Sequence, residues 1–274
     1  MSVSQFEKIA RFRTLHSAPG AFVIPNPWDA GSARMLESLG FPALATSSSA
    51  SAGTLGRRDY GLTRDEALAM ARAIVEATEL PVSADLENGF GDSPATVAET
   101  IRLASACGLA GCSIEDARGD AAPYDFNHAV ERFAAAVAAN RALPHPLVLT
   151  ARAENFARDR ADLDDTIARL QAFARAGADV LFAPGLPDLA AVRAVCAAVS
   201  KPVNVVAGSK GRLFTVAQLA DAGVKRISLA TSLYRAAMTA LRDAASEVRT
   251  HGSFSFGERV MTSSDLNKVM RESQ

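Results

Sequence analysis

The stretch Ala106-Cys107-Gly108-Leu109-Ala110-Gly111-Cys112, "ACGLAGC", closes a helical pattern on a glycine and turns within a few residues into an apolar run. The same phrase recurs as "SLGFPAL" at 38–44, "RAGADVL" at 175–181 and "DAGVKRI" at 221–227. A glycine stop followed directly by a strand is what a helix-to-strand connection in a βα unit requires. Shared capping chemistry accounts for the repetition without internal duplication. Upstream, "ATVAETIRLASACG" at 95–108 puts Val97, Ile101 and Ala104 on one helical face. Helices are expected likewise at 64–78, 164–176 and 189–199. Short runs rich in Val, Ile, Leu and Ala predict strands at 22–25, 43–47, 82–87, 112–116, 147–152, 180–183, 203–207 and 227–230. Eight strands alternating with helices and no clear linker predict an α/β fold, a single (β/α)8 barrel domain over 1–274. A doubly wound open sheet is the alternative, but its dinucleotide-type glycine fingerprint is missing from the first turn. Residues 251–274, opening "HGSFSFGERVMTSSDLNKVM", read as a C-terminal helical extension that packs elsewhere, against a neighbouring subunit in one reading.

The totals agree with one large domain. At 274 residues the chain suits a barrel, and nearly half of it is hydrophobic, much of that alanine. A formal net charge of -1 gives no basis for binding nucleic acid or a membrane surface. The start, "MSVSQFEKIARFRTLH", is a polar amphipathic helix rather than a signal sequence. Cys107, Cys112 and Cys196 are scattered and odd in number, as expected of buried thiols in a reducing cytoplasm.

The chemistry concentrates in "SADLENGFGD", residues 83–92, where an apolar strand spends three carboxylates and two glycines within a few residues. Residues two apart share a strand face, so Ser83, Asp85 and Glu87 are expected to point inward. Ser113 and Glu115 follow the same rule on the next strand, and Thr150, Arg152 and Glu154 on the one after. The C-terminal ends of barrel strands form the active-site rim. Carboxylates crowded there stay ionised only with a cation among them. An oxygen-only donor set favours a hard ion, Mg²⁺ or Mn²⁺. The competing reading is that Arg152 neutralises these acids in a buried ion-pair network.

Other features carry less. His16, His128, His145 and His251 fall at no predicted strand end, and Cys112 takes the outward register of its strand. No GxSxG elbow or P-loop is present. "NFARDRADLDD" at 155–165 reads as a solvated helix start. The glycine-rich turn Ala207–Gly211 follows the seventh strand, where barrels often hold phosphate, and is read evenly as an anion cradle or a plain loop.

Taken together, "NPWDAGSARMLESLGFPALATSSSASAGTLGRRD" (26–59), "VSADLENGFGD" (82–92), "SIED" (113–116) and "TARAE" (150–154) resemble the isocitrate lyase/phosphoenolpyruvate mutase superfamily in order and spacing over nearly the whole chain. The resemblance implies a barrel that often exchanges a helix between subunits, a homodimer or homotetramer, and a Mg²⁺ site for 2-oxo acids or their enolates. By that resemblance Asp85 is the principal metal-binding aspartate. Glu87 stands where most members have a second aspartate, and Glu115 is the acid ending the fourth strand. Asp59 lies near substrate and metal waters, and Ser47 and Ser48 replace a Ser-Gly pair that holds a substrate carboxylate. Arg152 is the arginine contacting the anionic substrate, and Asn204 corresponds to a polar ligand contact.

The departures bear on the reaction. Isocitrate- and methylisocitrate-cleaving members carry a Lys-Lys-Cys-Gly-His loop after the fourth strand, and phosphonate mutases a lysine- and asparagine-bearing one. Here the segment is "EDARGDAAPYDF" (115–126), and the sixth strand ends "FAPGLPD" without the lyases' glutamate or the mutase's histidine. The expected activity is therefore a Mg²⁺-dependent lyase on a small 2-oxo or 2-hydroxy carboxylic acid, through an enolate, by C–C cleavage or decarboxylation. Asp59, Arg152 and Glu115 are its catalytic candidates. One alternative is a phosphonate-type mutase or hydrolase using Arg118 and the Gly208–Gly211 turn. The other is a degenerate barrel that binds a metabolite without turnover.

Overall fold

The computed structural model describes residues 3–208 and 213–270. Eight strands form one parallel sheet: β1 (Phe22–Ile24), β2 (Leu44–Ala45), β3 (Val82–Asp85), β4 (Gly111–Glu115), β5 (Val148–Arg152), β6 (Val180–Phe182), β7 (Val203–Val206) and β8 (Arg226–Ser228). Their order is β1-β8-β7-β6-β5-β4-β3-β2, and the Ala45 N–H donates to the Pro25 carbonyl across the remaining gap at 3.0 Å. Helices alternate with the strands, and the result is the (β/α)8 barrel.

Local chemistry sets the boundaries. Ser93 caps the helix Pro94–Ala106, accepting from the Thr96 N–H, and Pro94 fills the first turn where no N–H is needed. The helix Leu163–Ala176 stops at Gly177, whose φ of 114° is left-handed and open to glycine at little cost. Between sheet and helices lies the apolar core, including Leu149, Leu181 and Ile227 on the outward strand face and Ile101, Phe133 and Phe173 on the helices. Cys112 is buried there, and burial pushes its thiol up to about 12. The helix Gln5–Ser17 lies under the strand starts: the Arg13 guanidinium donates to the Pro146 carbonyl, and His16 reaches Arg226.

Several strands are shorter than the sequence pattern predicts. β3 ends at Asp85 because the chain turns at Glu87, which adopts a left-handed φ of 50°. Glu87 therefore leaves the alternating register that would have aligned it with Ser83 and Asp85.

After β8 comes the long helix Ser232–His251, then the short helices Ser255–Arg259 and Ser263–Val269. The last returns toward the helix Ala30–Ser38, where the Met270 side chain lies beside Gly31. Among the described residues no helix is long and apolar enough to cross a membrane.

Candidate active site

The mouth of the barrel opens into a cavity of about 290 Å³. Its walls include Ser47, Ser48, Asp59, Asp85, Glu115 and Arg152, with Asn204 deeper in. The side chains expected from strands β3, β4 and β5 thus converge.

Arg152 is the hub. Its Nη1 donates to Asp85 Oδ1 at 3.0 Å, its Nε to Glu154 Oε1 at 2.9 Å, and its Nη2 lies 3.0 Å from Glu115 Oε1. Burial opposes the guanidinium charge, but Glu115, Glu154 and Asp85 outweigh it and hold its pKa well above normal. The Phe182 ring packs 4.9 Å from the guanidinium carbon. Ion pairing of the acids by Arg152 is therefore part of this site. It does not exhaust the carboxylates.

Ser48 ties two of those acids together. Its hydroxyl donates to Asp59 Oδ1 at 2.9 Å, and its N–H, at the start of the helix Ser48–Thr54, faces Asp85 Oδ2 at 3.4 Å. Ser47 caps that helix, its oxygen accepting from the Ala50 N–H at 3.4 Å while its own O–H can still donate. Burial and the neighbouring Asp85 charge raise the Asp59 pKa. Glu87 sits beside this group but borders an adjoining cleft that also holds Asn88, Asp92 and Arg118. It is buried, at 6% exposure, and its Oε1 has no hydrogen-bond partner. Burial, then Asp85, then Asp59 push its pKa up to about 8.

Two residues outside the sequence expectations also belong here: Tyr60 lines the cavity, and Arg158 backs Glu115. The turn Asn155–Arg158 delivers Arg158, which pairs with Glu115 Oε2 at 3.3 Å and Glu154 Oε2 at 3.4 Å and bonds the Tyr60 hydroxyl. Tyr60 OH lies 3.3 Å from Glu115 Oε2, with its backbone left-handed at φ 60°. Burial and Glu115 raise the phenol's pKa far above normal. The solvated reading of "NFARDRADLDD" is thus corrected. Asn155 is fully buried and donates to Asp165, Arg158 pairs with Glu115 and Glu154, and Asp162 caps the helix Leu163–Ala176. Spacing held the signal, since Glu154 and Arg158 are four apart and one turn brings them together.

Both oxygens of Glu115 are committed to Arg152, Arg158 and Tyr60, whereas Asp85 Oδ2 and Glu87 Oε1 are lightly used. Among the described residues no three carboxylates converge on one point as a closed metal cage. A buried carboxylate oxygen without a donor, beside two further acids, fits a hard cation that takes few protein oxygens and keeps several waters. The Arg118 guanidinium faces the other way, onto Asp92 at 2.8 Å. Of the glycine-rich turn, Gly208 is described, and residues 209–211 lie outside the described residues.

These features agree with the comparisons to known proteins. The family model for phosphoenolpyruvate phosphomutase matches residues 12–249, and the chain belongs to that family. Oxaloacetate decarboxylase of Bradyrhizobium diazoefficiens is 32% identical over 281 residues, covering 96% of this chain and 93% of the relative. A solved structure from Burkholderia cenocepacia J2315, described only as a lyase or mutase, is 53% identical with a TM-score of 0.94, covering 96% of each chain. Oxaloacetate acetylhydrolase with its product oxalate superposes with a TM-score of 0.88 at 25% identity, over 96% of this chain and 94% of the other.

Proposed function

We propose that this protein is a Mg²⁺-dependent lyase acting on a small 2-oxo or 2-hydroxy carboxylic acid by C–C cleavage or decarboxylation. The observation that carries the reading is the surplus of acids over cations at the cavity mouth, with the buried Glu87 Oε1 left without a donor. Asp85 and Glu87 would hold the metal directly, and Glu115 and Asp59 through water. When bound, Mg²⁺ supplies a Lewis acid for negative charge developing on the substrate's 2-oxygen as it becomes an enolate.

The chain's own residues do the rest. Arg152, held rigidly by three carboxylates, presents its remaining N–H groups to a substrate carboxylate. Ser47 and Ser48 orient the same end, and Asn204 contacts the ligand from below. Asp59, whose raised pKa suits proton exchange, moves a proton at its carboxylate directly or through one water. Leu186 and Phe214 form an apolar flank that limits water. Two of the similar proteins bear names that refer to oxaloacetate, in keeping with this substrate class.

The absence of a transmembrane-length helix among the described residues and the three unpaired thiols support a cytoplasmic protein. A homodimer or homotetramer is supported by the helix Ser232–His251, which buries none of its residues, and by the exposed Leu241, Phe254 and Val260.

The test is calorimetry of oxalate, a planar mimic of the pyruvate enolate, with and without Mg²⁺. Binding only with Mg²⁺, abolished in a folded Asp85→Ala protein, is the expected result. Oxalate binding that ignores both Mg²⁺ and Asp85 would sink the reading.

A further inference from the structure

Arg226 opens β8 with its side chain inside the barrel, and it is buried at 5% exposure. Its hydrogen bonds all go to neutral groups. Nε donates to Asn204 Oδ1 at 3.0 Å, Nη2 donates to Thr150 Oγ1 at 3.0 Å, and Nη1 lies 3.5 Å from His16 Nε2. The other nitrogen of His16, Nδ1, is 2.8 Å from the Phe12 carbonyl and must donate to it, which leaves Nε2 as an acceptor for the guanidinium. His16 is accordingly neutral, and burial, then Arg226, depress its pKa to about 3.

No ion pair is recorded for Arg226 among the described residues. Arg152, Arg158 and Arg169, by contrast, each pair with two or three carboxylates. A guanidinium has five N–H donors, and three partners leave some of them unused. A buried charge without a counterion is costly, and proteins supply the partner.

The partner's place is visible. Arg226 lines the same cavity as Arg152. Register links them directly, because Arg152 pairs with Phe182, Phe182 with Asn204, and Asn204 with Arg226. Barrel interiors are usually filled by bulky apolar side chains. Here the cavity lining includes, beside Phe182 and Val205, the polar side chains of Thr46, Ser83, Ser113, Asn204 and Ser228. Part of the interior that both arginines line is therefore polar and open rather than filled by apolar side chains.

We propose that Arg226, with Asn204 beside it, is a subsite for the distal carboxylate of a small dicarboxylic acid whose 2-oxygen end sits at the Asp85–Arg152 mouth. This inference rests on the lyase reading above and narrows its substrates to diacids. Arg226 is a specificity residue here: it receives a negative charge remote from the bond that breaks. No other described cation facing the cavity is free of a carboxylate, so a monocarboxylate would leave Arg226 uncompensated.

Lactate and malate test this, since each carries a 2-hydroxyl and they differ by the distal carboxylate. With Mg²⁺ present, calorimetry on the full chain should show malate binding about tenfold or more tighter than lactate, a modest value for one buried charge pair. In Arg226→Gln the preference should vanish while lactate and oxalate affinities hold. Should that variant fail to fold, Asn204→Asp supplies an internal counterion for Arg226 and should equally erase the malate preference. Equal binding of malate and lactate by the wild type, with oxalate still bound, overturns the subsite and leaves the lyase reading standing. So does a preference that survives either variant. Loss of oxalate binding in the wild type overturns both.

Discussion

Glu115 and Asp116 are consecutive residues, each buried at 2% exposure, and they face opposite sides of the barrel wall. Glu115 points inward to Arg152 and Arg158 beside the cavity. Asp116 points outward, accepts the Glu154 N–H at 2.8 Å, and pairs with Arg169 at 3.0 Å. Arg169 in turn bonds Asp165 and the Tyr124 carbonyl. The outward network is sealed and every charge has an answer within the chain. The inward network is open to a cavity and holds more acid than cation. Buried ion pairs alone therefore do not mark a site; an unbalanced set facing a cavity does.

Breaking each network should separate the two roles. Arg152→Met removes the hub from three carboxylates. Arg158 still pairs with Glu115 and Glu154, but removing one partner of a buried pair costs about 3–5 kcal/mol, and oxalate binding and turnover should fall together. Arg169→Met should cost stability on the same scale of about 3–5 kcal/mol, yet leave Mg²⁺-dependent oxalate affinity within about threefold, under half of one factor-of-ten step. Urea denaturation and calorimetry on both variants check this. An Arg169 variant that folds but loses oxalate would erase the distinction.

The pH dependence sharpens the comparison. Burial raises Asp116 from 3.8 to about 6, while burial with Asp85 and Asp59 raises Glu87 from 4.5 to about 8. An acid with a raised folded pKa binds more protons folded than unfolded, so its contribution to stability declines as pH rises between the two values. Asp116 should contribute a declining slope between about pH 4 and 6, and Glu87 one that runs from about 4.5 to 8. Denaturation midpoints of wild type and Glu87→Gln should therefore diverge above pH 6 in EDTA, with the wild type losing stability. Added Mg²⁺ should shrink that difference and leave the Asp116 slope alone. A wild-type slope above pH 6 that Glu87→Gln does not flatten would show that Glu87 is not the strained acid.

Much of this was legible before the structure. Glycine stops and apolar runs located all eight strands, and alternation aimed Asp85, Glu115 and Arg152 at one rim. Alternation failed at Glu87, because a left-handed residue resets which face the chain presents. Tyr60 and Arg158 were missed because each reaches the site from a loop or short turn, where no period relates sequence to direction. Arg226 was missed by one residue. With the strand read from Ile227, Arg226 fell outside it, although Arg226 and Ser228 share the inward face.

The smallest effect tests how the mouth keeps its acids apart. Asp85 raises the cost of ionising Asp59, and Ser48 donates its hydroxyl to Asp59 while its N–H faces Asp85. Ser48→Ala removes the hydroxyl and keeps the N–H. A hydrogen bond to a charged group is worth about 1.5–3 kcal/mol when fully buried. Asp59 is partly open to solvent, so water recovers some of this and about 1 kcal/mol is expected. Because Asp59 would then bind its proton more tightly, Mg²⁺ affinity should drop most at the acid end of the range and recover as pH rises. That recovery separates the effect from simple loss of packing, which would weaken Mg²⁺ equally at every pH. Uniform weakening would assign Ser48 to the wall of the cavity rather than to the electrostatics of its acids.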